Sequence, residues 1–168
     1  MINGVVMANQ EIDFDENDFI VSKTDLKGRI TYGNTLFVEM SGFDENEILG
    51  KPHNVLRHID MPRIIYKLLW DRVKSGNEIF AYVKNKSKNG DYYWVLAHVT
   101  PSFNDKNEIT NYHSVRRKPT QKSLSIIIPL YQKLLSIEKS QGAEASMAHL
   151  NKLLAEKGVS YDEFILSI

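Results

Sequence analysis

The strand-forming segments of this chain fall into two groups, and that split constrains the fold more than any other feature. Two short extended runs, Phe19-Ile20-Val21 and Arg29-Ile30-Thr31-Tyr32, stand near the start and are joined by the turn Asp25-Leu26-Lys27-Gly28. Three longer runs, Glu78 to Lys86, Asp91 to Phe103 and Ile109 to Arg117, come only after a helical middle. Their connections, Asn89-Gly90 and Asn104 to Asn107, carry the residues of tight hairpin turns. Hairpin-joined strands separated by helices predict an α+β fold, with a five-stranded antiparallel sheet and the short helices on one face.

The helical signals are local and specific. Asn34 suits the N-cap of a helix running through Met40. Asp44 and Glu47 form a capping box for a second helix, which Gly50 stops. Lys51 to Asp60 has no period and reads as loop or short turns. Met61-Pro62 opens a longer helix whose stripe is Ile64, Ile65, Leu68, Leu69 and Val73, with Trp70 on its flank. After Pro119 the chain turns helical again, over Leu124 to Glu138 and Ala143 to Lys157. Pro129 is expected to kink the first of these or move its start. Ser160 with Glu163 caps a last helix. Three regions follow: an arm over 1–18 anchored by Ile12 and Phe14, a domain of about 100 residues over 19–118, and a helical C-terminal extension over 119–168.

Composition removes several function classes. Of 168 residues, 21 are Lys or Arg and 21 are Asp or Glu, and a net charge of zero argues against nucleic acid or anionic lipid held by bulk electrostatics. No apolar run approaches the roughly 20 residues of a bilayer span, and the acidic start lacks the order of a signal peptide. The cytoplasm is the expected location. There is no cysteine, which excludes disulfides and thiolate chemistry. No nucleophile elbow, phosphate loop or paired-carboxylate pattern is present, so no enzyme activity is expected. The histidines lack metal-ligand spacing, and no metal is expected.

Strand alternation sorts the sheet faces. Ile79, Ala81, Val83 and Asn85 share one side, as do Tyr93, Val95, Ala97 and Val99. Small residues on two adjacent strands leave room beneath the helices, enough for a planar ligand. Asn85 either hydrogen-bonds such a ligand or begins the hairpin turn, and the residues alone leave both readings open. Phe80, Tyr82, Trp94 and Leu96 face the other way and need a cover: the chain's own helices, the arm or a partner. A second polar constellation, His53, Asn54, Arg57, His58 and Asp60, lies in the loop before Pro62. There Asp60 either orients His58 or Arg57, or caps the following helix. Lys84, Lys86 and Lys88 flank a hairpin tip and read as solvated.

These residues carry a resemblance. Asp25 to Asn34, Ser41-Gly42-Phe43 and Leu49 to Asn54 resemble the first half of a PAS domain. The run Val55-Leu56-Arg57-His58-Ile59-Asp60-Met61-Pro62, with Val83 to Lys86 and Asn89 to Val95, is similar to the FAD-binding PAS domains of the aerotaxis-receptor type. That resemblance implies a PAS fold and noncovalent FAD. It places Arg57, His58 and Asp60 at positions needed for FAD binding, Trp70 near the flavin and Asn85 on the flavin ring. It also matches Asn34 at a helix start and Arg116 on the last strand. The lack of cysteine leaves no flavin–cysteinyl photoadduct.

The resemblance further implies a soluble redox or energy sensor of the kind found in bipartite energy-taxis systems. Such a sensor signals by protein contact to a membrane-bound methyl-accepting transducer that carries the HAMP and signalling regions. The helical extension is then a docking or homodimerisation element. Two other readings share the fold: a haem-binding gas sensor with a histidine such as His58 as axial ligand, and a ligand-free PAS assembly module.

Overall fold

The computed structural model describes residues 9–168, so residues 1–8 of the expected arm lie outside the described residues. Five strands, β1 (Ile20–Thr24), β2 (Ile30–Gly33), β3 (Ile79–Lys86), β4 (Tyr92–Phe103) and β5 (Ile109–Arg117), form one sheet in the order β2-β1-β5-β4-β3. Every pairing is antiparallel. The split strand groups meet where β1 pairs with β5, with Ile20 opposite Arg116 and Ser22 opposite Ser114. Alternation holds: Ile79, Ala81, Val83 and Asn85 are all buried on the inner face.

Short helices α1 (Thr35–Ser41) and α2 (Glu45–Ile48), a 3-10 turn at His53–Leu56, and the longer α3 (Arg63–Lys74) cover that inner face. Asn34 caps α1 as its position predicts, because its side chain accepts from Phe37 N at 3.0 Å. The Asp44–Glu47 capping box is present at α2, which ends at Ile48, before Gly50. The start of α3 differs from expectation. Asp60 does not cap it, because its carboxylate is held by Lys84 Nζ at 2.8 Å. The cap comes instead from Glu138, whose two oxygens accept from Arg63 N at 3.0 Å and Ile64 N at 2.9 Å.

Three more helices follow: α4 (Gln121–Gln141) and α6 (Tyr161–Ser167) pack on the sheet from the outer side, and α5 (Ala143–Lys157) packs against α4 and α3. Helix α4 starts earlier than the sequence suggested and runs through Pro129 without a break in helix assignment. Pro129 is on the exposed side, where water can pair the Ser125 carbonyl that the proline leaves free. The outer face is thus covered by the chain's own helices, with Trp94 against Tyr131 at 6.0 Å between ring centres.

Strand β3 is one edge of the sheet, and three of its outward backbone groups have side-chain partners. The Tyr131 hydroxyl donates to the Tyr82 carbonyl at 2.6 Å and the Tyr161 hydroxyl to the Phe80 carbonyl at 2.9 Å. The Lys84 N–H meets Met61 Sδ at 3.2 Å. These contacts and the helices that supply them cover part of the edge that another strand would use. The arm adds itself at the start of β4, where Tyr92 N donates to the Gln10 carbonyl and Ile12 N to the Tyr92 carbonyl. Ile12 and Phe14 pack on the core, and Asp13 pairs with Lys118 at 2.6 Å. Among the described residues no helix is long and apolar enough to cross a membrane.

Candidate functional site

The small side chains of the inner face leave a cavity of about 400 Å³ between β3, β4, β5, β1 and helix α3. This falls within the size range of small-molecule sites, roughly 300–1,000 Å³. Its apolar walls are Leu69, Val83, Ala97, Val99 and the edge-to-face pair Trp70–Tyr112, 5.5 Å apart. Its polar groups come from both halves of the chain: Ser22 and Thr24 from β1, His53 and Arg57 from the loop, Tyr66 from α3, Asn85 from β3, and Ser114 and Arg116 from β5. No aspartate or glutamate lines it, whereas Lys27, Arg57 and Arg116 do. In a chain of zero net charge that imbalance is local, and it favours an electron-rich or anionic occupant.

Arg116 is the most consequential of these groups. It is 4% exposed, a placement an arginine tolerates only when its donors are paired. Nη2 donates to Ser22 Oγ at 2.8 Å and to His53 Nε2 at 2.7 Å. Because an arginine can only donate, His53 accepts at Nε2 and carries its proton on Nδ1. Burial, reinforced by the Arg116 charge, pulls the His53 pKa down to about 3, so the imidazole stays neutral. Burial also lowers the Arg116 pKa to about 10, which leaves it a cation at neutral pH. Its other terminal nitrogen, Nη1, is buried without a hydrogen-bond partner among the described residues. The hydroxyls of Tyr66, Thr24 and Ser114, which also belong to the lining residues, are in the same condition. Each such group costs about 1–3 kcal/mol unless something outside the fold pairs it.

Four of the residues singled out from the sequence come together here: Arg57, Trp70, Asn85 and Arg116. Asn85 is 3% exposed and faces the cavity, so its inward placement, not the hairpin turn, describes it. Arg57 stacks on the Tyr66 ring, with Cζ 4.7 Å from the ring centre. The other three lie outside the lining. All of Asn34's bonds are internal to the fold: Oδ1 accepts from Val21 N and Phe37 N, and Nδ2 donates to the Phe19 carbonyl. His58 is buried beside the Tyr92 ring, and its Nδ1 accepts from the Asp60 backbone N–H at 3.1 Å. Asp60 is held below the usual carboxylate range by its bond to Lys84. Lys84 is itself only 12% exposed and sits 4.2 Å over the Tyr92 ring, rather than solvated as its hairpin position suggested. His58 and Asp60 therefore brace the loop that carries Arg57.

Sequence reasoning missed Tyr66, Ser22, Thr24 and Ser114. Part of the signal was available in β1 and β5, whose inward positions carry the polar residues Ser22, Thr24, Ser114 and Arg116 where a plain core would place apolar ones. Gly28 was read only as a turn residue. Its φ of +79° requires glycine, and an added Cβ would stand 3.2 Å from the Trp70 ring.

An antiparallel sheet of this order, with short helices closed over a cavity on its inner face, is the architecture of a ligand-cupping sensor domain. A family model described as the PAS fold matches residues 30–116, more than half of the chain, and the chain belongs to the PAS family. Among characterised proteins, the aerotaxis receptor of Escherichia coli (strain K12) is 36% identical over 128 residues, 76% of this chain and 25% of that protein. The nitrogen fixation regulatory protein of Klebsiella pneumoniae is 26% identical over 114 residues, 68% of this chain and 22% of its own length. The chain thus spans about a quarter of the length of these relatives. Among solved structures, a light-oxygen-voltage domain studied with a flavin analogue aligns with a TM-score of 0.58 at 17% identity, covering 66% of this chain and 83% of that one. The light state of the Aureochrome1 LOV photoreceptor aligns at 0.56 and 21%, covering 74% and 92%. At these identities the structures establish the fold.

Proposed function

We propose that this chain is a non-enzymatic redox or energy sensor that binds a flavin, FAD, noncovalently in the inner-face cavity and signals by contact with another protein. The observation that carries this reading is the buried Arg116 guanidinium, its Nη1 unpaired among the described residues, in a cavity that Asn85 also lines and that no carboxylate among the described residues enters. A flat heterocycle with acceptors on one edge matches an apolar slot ending in such donors. The likeness to an aerotaxis receptor supports the redox reading, and a structural neighbour studied with a flavin analogue supports the ring system.

Asn85 and Arg116 would hold the ring edge, Trp70 and Tyr112 the ring face, and Arg57 the more polar remainder towards the mouth. His58 and Asp60 would act on Arg57 through the loop, and Asn34 through the β1–α1 junction. A bound flavin would supply reversible uptake of electrons and protons at the ring edge. Asn85 can meet a change from acceptor to donor there by turning its carboxamide or by shifting β3. The β3 carbonyls at Phe80 and Tyr82 are gripped by Tyr161 and Tyr131, so a shift of β3 reaches α6 and α4 directly. A coupling of about 1–3 kcal/mol is ordinary for such a route.

In this reading the sensor unit is 19–118, and the extension 119–168 carries the output or dimerises. The partner is a membrane-bound chemotaxis transducer with HAMP and signalling regions, met from the cytoplasm. The absorption spectrum of the purified chain, reconstituted with FAD if colourless, is the test. Two broad flavin bands that bleach on dithionite agree with it. A sharp Soret band would replace it with a haem sensor, and a chain that stays colourless with one built for assembly.

A further inference from the structure

We infer that Tyr66 is a ligand-gripping and specificity-determining residue, whose hydroxyl works with Arg116 Nη1 to hold an edge of acceptor atoms on a planar heteroaromatic ligand. The inference deepens the flavin reading and takes its probe from it.

Tyr66 precedes Trp70 by one helical turn, so the two share the face of α3 that lines the cavity. The Arg57 guanidinium lies over its ring at 4.7 Å. Its hydroxyl is closed off from solvent and has no hydrogen-bond partner among the described residues. Burial raises its pKa against the opposing charges of Arg57 and Arg116 and keeps the phenol neutral, a competent donor across the physiological range. The Tyr93 hydroxyl is likewise buried and makes no hydrogen bond of good geometry among the described residues.

The fold satisfies the hydroxyls of two of its other buried tyrosines. Tyr131 and Tyr161 are no less buried, and each donates to a named β3 carbonyl. The Tyr66 and Tyr93 hydroxyls have no such partner, and Tyr66 lines the same cavity as Arg116, whose Nη1 is also unpaired among the described residues. A phenylalanine at 66 would fill the same space and stack under Arg57 equally well. The hydroxyl therefore adds nothing to packing and weakens the fold by the desolvation it suffers. Such a group is explained by what binds, not by what folds. Arg116 Nη1 can only donate, and the Tyr66 hydroxyl is free to donate, so acceptor atoms on a ligand in the cavity they share would pair both. A run of carbonyl, ring nitrogen and carbonyl meets that demand.

The test compares Tyr66→Phe with the unmodified chain and with Tyr131→Phe, in two readouts: denaturant stability of the ligand-free protein, and affinity for FAD measured by quenching of flavin fluorescence. Tyr66→Phe should leave ligand-free stability unchanged or raised while weakening FAD binding about five- to thirtyfold. Tyr131→Phe should do the reverse, lowering stability with FAD affinity within twofold. A loss of ligand-free stability in Tyr66→Phe, or unchanged FAD affinity, overturns the assignment. If the unmodified chain binds no flavin, the flavin reading fails on its own. The stability readout then decides Tyr66: raised stability keeps it as a group reserved for another ligand, and lowered stability removes it.

Discussion

Replacing Glu138 by alanine tests whether the C-terminal helices and the cavity belong to one cooperative structure. Glu138 stands near the end of α4, and its carboxylate closes the first turn of α3 through Arg63 N at 3.0 Å and Ile64 N at 2.9 Å. Those two N–H groups are among the four that a helix start leaves without internal partners. Losing a side-chain cap costs about 0.5–2 kcal/mol, and losing the negative charge at the positive end of the helix dipole about 0.3–1 kcal/mol more. Arg63 is exposed, so water replaces part of what is lost. A net loss of about 2 kcal/mol follows, which for a chain of this size lowers the melting temperature by about 4–8 °C. Glu138→Gln keeps one acceptor without the charge and should lose about half as much. Far-UV circular dichroism of the ligand-free chain reads both variants. A change below 1 °C would refute the cap as a stabilising contact. A melt resolved into two transitions would refute the single cooperative structure.

Other substitutions probe the site and its frame. Gly28→Ala forces a left-handed φ on alanine and pushes a Cβ to 3.2 Å from Trp70; a loss of about 1–2 kcal/mol in urea unfolding, with weaker FAD binding, is expected. His53 has a folded pKa of about 3 against 6.5 unfolded, so the unfolded chain binds more protons between those values and stability falls as pH falls from 6.5. The slope reaches at most about 1.4 kcal/mol per pH unit. Comparing His53→Gln with the unmodified chain between pH 7 and pH 5, above most carboxylate titration, should show a flatter stability curve for the variant. Arg57→Ala should abolish FAD retention on gel filtration. Asp60→Ala, which acts through Lys84 and the loop, should weaken retention without abolishing it; equal loss in both would mean that Asp60 touches the ligand.

Much of this architecture was legible because the signals are local. Asn34 and the Asp44–Glu47 and Ser160–Glu163 boxes mark helix starts through groups a few residues apart, and all three are present. The inward face of β3 and β4 followed from alternation alone. What stayed hidden depends on distant partners. Asp60 fits a helix cap by position, but Lys84, 24 residues away, takes its carboxylate, and Glu138 caps α3 from 75 residues away. The clamp of Ser22 and His53 on Arg116 joins three segments that no periodicity relates. Tyr66 was passed over because its stripe of Ile64, Ile65, Leu68 and Leu69 reads as core, and an unpaired hydroxyl is invisible until its surroundings are known.

The cavity's occupant can be located with the two tryptophans the chain possesses. Trp70 lines the cavity, while Trp94 packs on the far side of the sheet against Tyr131. In a Trp94→Phe variant only Trp70 emits, and saturating FAD should quench nearly all of that emission, with a matching loss of flavin fluorescence. Trp70 emission that stays unchanged while FAD binds would place the flavin elsewhere and contradict the account.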